Sequence, residues 1–331
     1  MGANRRQGWR RARAARLVAP ALAAMLLAPP PHSAGAETFP SKPIEVVIHT
    51  KYGGGTDTTA RMMALVAAPV LGVPMKVIAR RGGSGATAHA YVSGKPRDGH
   101  TILALTQTHL YTIARGKSKL KVGDLVGIAR AMNDPTFVAV NAKSPHRSFK
   151  SLLAASHEKP LVWSVAQIGG TEHIGLARLA AASGMKYRAV PFGSGAQMVQ
   201  ALMSGAIDAA LPNVSEAKSQ IDAGRMRPLM VLADKRLKDY PDVPSAHELG
   251  YKVTLATTRG YAVLKGTPPE RIAALSKALV EGMRKAQFAA YLKGSGLTVD
   301  ESVAGQAAWT ANIREEYAVA ATALRKLGLI K

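Results

Sequence analysis

The chain predicts an α/β fold of two lobes with a ligand cleft between them, and three observations support that reading. Apolar strand-like runs alternate with Ala- and Leu-rich helical stretches, which points to layered α/β structure with mainly parallel sheets. The 331-residue length and 47% hydrophobic composition supply enough apolar surface for a large core split over two lobes. Glycine-bearing turns come in two sets, Gly53–Asp57 with Gly82–Gly85 and Gly169–His173 with Gly193–Gly195. Ligands of open α/β sheets sit outside the carboxyl ends of the strands, so one set of turns per lobe, facing a shared cleft, accounts for both.

Residues 1–36 read as a cleaved export signal. Six arginines (Arg5, Arg6, Arg10, Arg11, Arg13, Arg16) precede the apolar run Leu17 to Ala28, and Ala34-Gly35-Ala36 supplies a small-x-small cleavage site. Arg5-Arg6 hints at twin-arginine export, but Gly8 and Trp9 do not continue that motif. The run is short for a membrane span and contains Pro20. Cleavage near Ala36 removes six of the 44 basic residues and none of the 21 acids, leaving 295 residues at +17. No later segment reaches about 18 uninterrupted apolar residues, so a soluble, periplasmic mature chain is expected. Cysteine is absent, which excludes a disulfide framework and thiolate metal sites. The basic residues are scattered and aromatics make up only 5%, so the stacking platform of a nucleic-acid binder is missing. The charge reads instead as a solvated surface that attracts small anions.

Taken in order, the first strand is Ile44-Glu45-Val46-Val47-Ile48, rich in β-branched residues. The glycine turn Tyr52 to Asp57 follows. A helix starts at Thr56, where Thr56 and Asp57 can cap and Ala60, Met63, Ala64 and Ala67 recur at helical spacing. Further strands are expected at Met75–Ile78, Thr101–Leu105, Phe137–Val140, Leu161–Val165, Ile207–Leu211, Pro228–Leu232 and Tyr261–Leu264, with helices such as Ile174–Ala182 and Gln197–Met203 between them. The C-terminal third is mostly helical. Thr267-Pro268-Pro269-Glu270 forms a capping box ahead of the stripe Ile272, Leu275, Leu279, Met283. The last helix carries Trp309, Ile313, Tyr317, Ala321, Leu324 and Leu327 on one face, a core-packing pattern.

Catalytic constellations are sparse. Residues 77–88 match G-x-G-x-x-A after a strand, yet the acid that would hold a ribose about 20 positions on is replaced by Leu103. Gly82-Gly83-Ser84-Gly85-Ala86 lacks the final glycine of a nucleophile elbow. No G-K-[ST] follows a glycine loop, and His247-Glu248 lacks the second histidine of a zinc protease. No cofactor, metal or catalytic residue is expected. His173 opens a helix and reads as a cap, a surface group or a ligand residue.

The turn Tyr52 to Asp57 is different. A strand, a glycine turn and a helix N-terminus point several backbone N–H groups at one place, where the helix dipole favours negative charge. Hydrogen bonds to a charged group contribute about 1.5–3 kcal/mol each. A helix N-terminus adds about 0.3–1 kcal/mol. Four or five such bonds, less the cost of ordering, reach the ~8 kcal/mol of a micromolar complex.

Several segments together resemble the tripartite tricarboxylate transporter receptors, the Bug family. They are Phe39-Pro40-Ser41-Lys42-Pro43-Ile44-Glu45-Val46-Val47, Gly53 to Asp57, Gly82 to Ala86, Asp98-Gly99-His100-Thr101-Ile102-Leu103, Gly205-Ala206-Ile207-Asp208, and Ala223 to Leu229 running into Tyr240-Pro241-Asp242-Val243-Pro244-Ser245. The resemblance implies a periplasmic binding protein type II-like fold, the Venus flytrap, which closes on a small carboxylate without catalysis. It implies a discontinuous first lobe (37–141 with 260–331) and a second lobe (142–259), with hinges near Asn141–Ser144 and Thr257–Gly260.

The ligand set so implied begins with Tyr52, Gly54, Gly55, Thr56 and Asp57, with Gly83, Ser84, Gly85 and Ala86 opposite and Thr106, Gln107 and Thr108 as floor. The second lobe would add Gln167, Gly169, Gly170, Thr171, His173, Phe192, Gly193, Ser194 and Asn213, and Arg259 sits at the return crossing. The chain departs from the family at Lys51, Tyr52 and Ala79-Arg80-Arg81, and at a shorter Phe192-Gly193-Ser194-Gly195 loop. These changes bear on ligand identity more than on fold. The expected function is a monomeric periplasmic receptor for a di- or tricarboxylate or an aromatic carboxylate, feeding the membrane permease subunits of a tripartite transporter. Alternatives are an orphan sensor of the same fold serving a membrane signalling protein, and a secreted hydrolase using Ser84 or Ser194.

Overall fold

The computed structural model describes residues 38–331; the expected signal peptide lies outside the described residues. Two five-stranded sheets carry the fold. The first receives β1 (Ile44–Ile48), β2 (Met75–Ala79), β3 (Thr101–Leu105) and β4 (Leu125–Pro135). The second receives β5 (Phe137–Asn141), β6 (Leu161–Val165), β7 (Tyr187–Pro191), β8 (Ala209–Ala210) and β9 (Met226–Val231). β10 (Ala256–Leu264) then returns to the first, giving the orders β2-β1-β3-β10-β4 and β7-β6-β8-β5-β9.

Helices fill the connections. α1 (Gly55–Leu71), α2 (Ala86–Ser93) and α3 (Gln107–Ala114) belong to the first half, and α4 (Phe149–Glu158), α5 (Thr171–Ser183), α6 (Gly195–Met203) and α7 (Val214–Asp222) to the second. After β10 come α8 (Pro269–Met283), α9 (Ala286–Lys293), α10 (Val299–Ser302) and α11 (Gln306–Lys326). Among the described residues no helix is long and apolar enough to cross a membrane.

Each sheet is buried on both faces, which is why its central strands are nearly continuous apolar runs. On β1, Ile44, Val46 and Ile48 join Met63 of α1, Leu275 and Leu279 of α8 and Phe288 of α9 in one layer. Val47 points the other way, toward Leu110 of α3 and Trp309 and Ile313 of α11. The alternation follows from the two-residue period of a strand. In the second lobe Leu161, Trp163 and Val165 pack on Phe149, Leu176 and Leu179. Phe137 and Ala139 pack on Leu202 and Val214 across the sheet.

The sheets are mixed, not mainly parallel as the sequence suggested. β1 pairs parallel with β2 and β3, and β6 with β7 and β8. β10 runs antiparallel to β3 and β4, and β5 antiparallel to β8 and β9. The cause is the double crossing. The chain leaves the first sheet along β4 and comes back along β10, and the outgoing and incoming strands lie side by side from Leu125↔Leu264 to Pro135↔Ala256.

The outward sheet change falls at Thr136, between β4 and β5, so the Phe137–Val140 strand hydrogen-bonds in the second sheet. The expected lobe boundary at residue 141 is therefore several residues later than the change of sheet. Two strands had no clear sequence signal. β4 breaks its apolar pattern with Arg130, Asn133 and Asp134 because it borders the interlobe region, and β7 is only partly buried. β8 is reduced to Ala209–Ala210 from the expected Ile207–Leu211.

Candidate functional site

β1 ends at Ile48, and His49 to Gly54 carry the chain into α1. Gly53 adopts φ +84, a left-handed conformation that favours glycine. Gly54 is the N-cap of α1 and offers no side-chain cap, so the first amides of the helix must find partners elsewhere. One of them, and the amide just before the cap, find carboxylates of the protein itself. Gly53 N–H donates to Asp57 Oδ2 at 2.8 Å, and Gly55 N–H donates to Glu216 Oε1 at 3.1 Å, across from the second lobe.

Here the lobes meet around a cavity of about 20 Å³, room for little more than one water, which needs about 10–15 Å³. Of the expected residues, Gly54, Gly55, Thr56, Thr106, Thr108, Gln167, Thr171, Ser194 and Arg259 line it. His49, Thr50, Ala166, Glu172, Gly195, Glu216 and Thr257 also line it and were not anticipated. The cavity is closed by bonds between the lobes. Gln167 Nε2 donates to His49 O at 3.0 Å, Lys51 N–H to Gly193 O at 3.1 Å, and Thr171 N–H to Thr108 Oγ1 at 3.1 Å. At the rim Ser84 Oγ donates to Ile168 O at 2.6 Å.

The other expected residues lie around the cavity without lining it. Tyr52 is exposed, its hydroxyl accepting from Ala79 N–H, with Arg61 over its ring. Asp57 pairs with Arg61 at 2.9 Å in addition to holding Gly53. Gly83, Ser84 and Gly85 form a 3₁₀ turn leading into Ala86 at the start of α2. Gln107 faces a second, larger cavity of about 470 Å³ on the other side of the crossing strands, where Thr258 N–H donates to its Oε1 at 3.0 Å. His173 Nδ1 accepts from Gly169 N–H at 2.9 Å, which is the cap reading; Gly170 is the N-cap of the same helix, α5. Phe192 packs against the second lobe's core, and Gly193 sits against the Lys51 side chain.

Asn213 is the N-cap of α7, and its side-chain amide donates to Asp134 O and Thr136 Oγ1. Its Oδ1 accepts from Arg259 Nη2 at 3.0 Å, while Arg259 Nη1 pairs with Asp134 Oδ2 at 2.5 Å. Glu216 stands 3.7 Å from Arg259 Nη2 and reaches back to Asn213 N–H at 3.2 Å. Burial works to lower the Arg259 pKa, but Asp134 and Glu216 outweigh it and hold the guanidinium charged. Burial raises the Glu216 pKa, and Arg259 opposes the shift.

The Glu172 pKa is pushed up to about 7, first by burial and then by the neighbouring charge of Glu216. The Glu172 carboxylate accepts from its own N–H and from that of Ala166. Burial pushes the His49 pKa down to about 3, so its ring is neutral. Among the described residues no group of histidines and acids is arranged to hold a metal ion.

Six buried polar atoms around this cavity have no hydrogen-bond partner: His49 Nδ1, Thr50 Oγ1, Gln167 Oε1, Ser194 Oγ, Thr257 Oγ1 and Arg259 Nε. Buried polar groups are ordinarily paired, and each one left bare costs about 1–3 kcal/mol. Their convergence marks the cavity as a place for a small polar guest.

The family model described as the tripartite tricarboxylate transporter family receptor matches residues 59–329. Protein BugT of Bordetella pertussis is 27% identical over 274 residues, covering 80% of this chain and 83% of its own. A ligand-free TctC solute-binding protein from Polaromonas, 27% identical, superposes with a TM-score of 0.66 over 87% of this chain and all of its own. MatC of Rhodopseudomonas palustris with bound malate, 23% identical, superposes with a TM-score of 0.81 over 86% of this chain and all of its own.

Proposed function

Because the chain belongs to the tripartite tricarboxylate transporter receptor family, we propose that it is a periplasmic receptor which closes two lobes on a small organic acid and delivers it to a membrane permease. The supporting observation is the set of six unpartnered polar atoms converging on the interlobe cavity. In this reading the acid group sits at the N-terminus of α1, served by the backbone N–H groups of Gly54 and Thr56, Ser194 Oγ and Arg259 Nε. Closure and release turn about the paired strands β4 and β10, where the chain crosses between the sheets. A cavity of about 20 Å³ is too small for an organic acid, so in this reading ligand enters when the lobes part. No covalent step is assigned. Ser84 Oγ, one of the two serines a hydrolase would use, donates to Ile168 O.

A calorimetric screen of small acids against the mature chain tests the proposal. Saturable binding of a carboxylate, abolished by breaking the lobe contacts, is expected. Failure of every acid, with clear binding of a sugar or a metal cation, would overturn it.

A further inference from the structure

The closed cleft is poorly suited to a ligand with several negative charges. Three carboxylates, from Asp134, Glu172 and Glu216, stand against one guanidinium, that of Arg259. Arg259 faces Asp134 and Asn213 directly, and Glu216 only at 3.7 Å. Among the described residues no lysine or arginine lies within ion-pairing distance of Glu172, although it lines the cavity. The nearby His49 ring is neutral and cannot serve as its counter-ion. The Glu172 carboxylate is held only by the backbone N–H groups of Glu172 and Ala166, so a positive group arriving in the cavity adds a charge pair that no protein side chain supplies.

A second, independent observation comes from the unpartnered polar atoms of the residues that line the cavity. Gln167 Oε1 is a buried acceptor with no donor, because its amide nitrogen is committed to His49 O. Arg259 Nε is a bare donor, and the hydroxyls of Ser194 and Thr257, each at least nine-tenths buried, are also unpartnered. An acid group satisfies the donors. A nitrogen bearing hydrogens satisfies Gln167 Oε1 and Glu172. A second carboxylate satisfies neither of these acceptors.

The geometry points to Glu172 as the counter-ion for a protonated amine on the ligand: the receptor takes an acid that also carries a cationic nitrogen, in preference to a plain di- or tricarboxylate. This inference rests on the receptor reading above and names the class of acid. Glu172 is then a specificity residue, and Glu216, the second acid lining the cavity, adds to the repulsion of a further carboxylate.

Matched pairs that differ by one amine test it: aspartate against succinate and glutamate against glutarate, titrated calorimetrically into the mature chain at pH 8. The amine-bearing member of each pair is expected to bind tighter by about ten-fold or more, the low end of what close charge pairs contribute. Glu172→Gln is expected to reduce that preference to about three-fold or less and to tighten binding of the plain diacid. Equal or tighter binding of succinate and glutarate to the wild-type chain overturns the inference and leaves the receptor reading intact. A preference that survives Glu172→Gln also overturns it. If no member of either pair and no other acid binds, the receptor reading itself fails. The wild-type comparison needs no variant, so it decides the matter even where Glu172→Gln misfolds.

Discussion

Arg259 is 4% exposed and holds three elements together through Asp134, Asn213 and Glu216. Removing one partner of such a network leaves the others charged and bare, at a cost of about 3–5 kcal/mol. Arg259→Met is therefore expected to lower the denaturation midpoint sharply in a urea titration, and a change below about 1 kcal/mol would contradict the network's role.

Glu172 gives a pH signature of its own. It faces Glu216 from α7, Arg259 from β10 and Tyr111 from α3. Its folded pKa, about 7, lies above the ordinary 4.5, so the native state binds the extra proton between those values. The associated stability is present below pH 4.5 and lost as pH rises through about 7. Glu172→Gln should accordingly gain melting temperature over the wild type at pH 8 and gain little at pH 5; a constant difference would refute this. His49 acts in the opposite sense. Its pKa is depressed to about 3, so its contribution is complete above its ordinary value of 6.5 and declines as pH falls toward 3.

At this scale the sequence was only partly readable. Arg259 was placed at the return crossing, whereas Glu172 and Glu216, which the structure puts in the first turns of α5 and α7, were not singled out. Asn213 was expected as a ligand residue, and the structure makes it the N-cap of a capping box with Glu216. That the same carboxylate also reaches Gly55, 161 positions away, depends on closure and leaves no mark in local sequence.

Among the elements, the first turn of α1 has the sharpest steric requirement. Gly54 has φ −85, a conformation alanine adopts freely, yet a Cβ there would lie 2.9 Å from Ser194 Cβ of the opposite lobe. A Cβ at Gly55 would overlap the Arg259 guanidinium, and one at Gly195 the Glu216 carboxylate. Gly54 thus allows the lobes to touch, while Gly55 and Gly195 leave room for the Arg259 and Glu216 side chains. Gly54→Ala is expected to cost about 1 kcal/mol or less in stability, the scale of an N-cap change. It should weaken ligand binding by about ten-fold or more, since closure meets the new methyl. Unchanged affinity by calorimetry would mean that the lobes close elsewhere. Most elements were legible from period and punctuation: β1, β3 and β6 and the stripe of α11 follow the expected patterns. α8 starts at Pro269, but the expected capping box does not form, because Pro268 is the N-cap and Thr267 Oγ1 donates back to Leu264 O. β4 was not, because a strand at the border between lobes places Arg130, Asn133 and Asp134 where an apolar alternation would be sought.

Over the whole molecule, contact between the lobes depends on a small number of interlobe bonds. The Glu216–Gly55 bond is a charge-assisted one among them. Open and closed forms are populations, and removing a bond made only in the closed form shifts the balance toward the open one. Glu216→Ala is expected to increase the radius of gyration of the ligand-free protein in solution scattering, with recovery on adding a bound acid. An identical scattering curve with and without Glu216 would show that this bond does not bias the equilibrium. The two-lobe plan was readable from two sets of glycine turns. The antiparallel halves of the sheets were not, since the direction of a strand is fixed by where the chain crosses and returns, which alternation of strands and helices does not encode.

The return of β10 has a practical corollary. β1 near the start of the described chain and α11 at its end both pack in the layers of the first sheet. Fluorescent labels fused at either terminus would therefore travel with the same rigid half and report little of its motion. The exposed turn Ser204–Ala206, between α6 and β8, rides on the other half. A dye there, paired with one at the C-terminus, would convert each capture event into a change in energy transfer and make the protein an optical probe for its own solute.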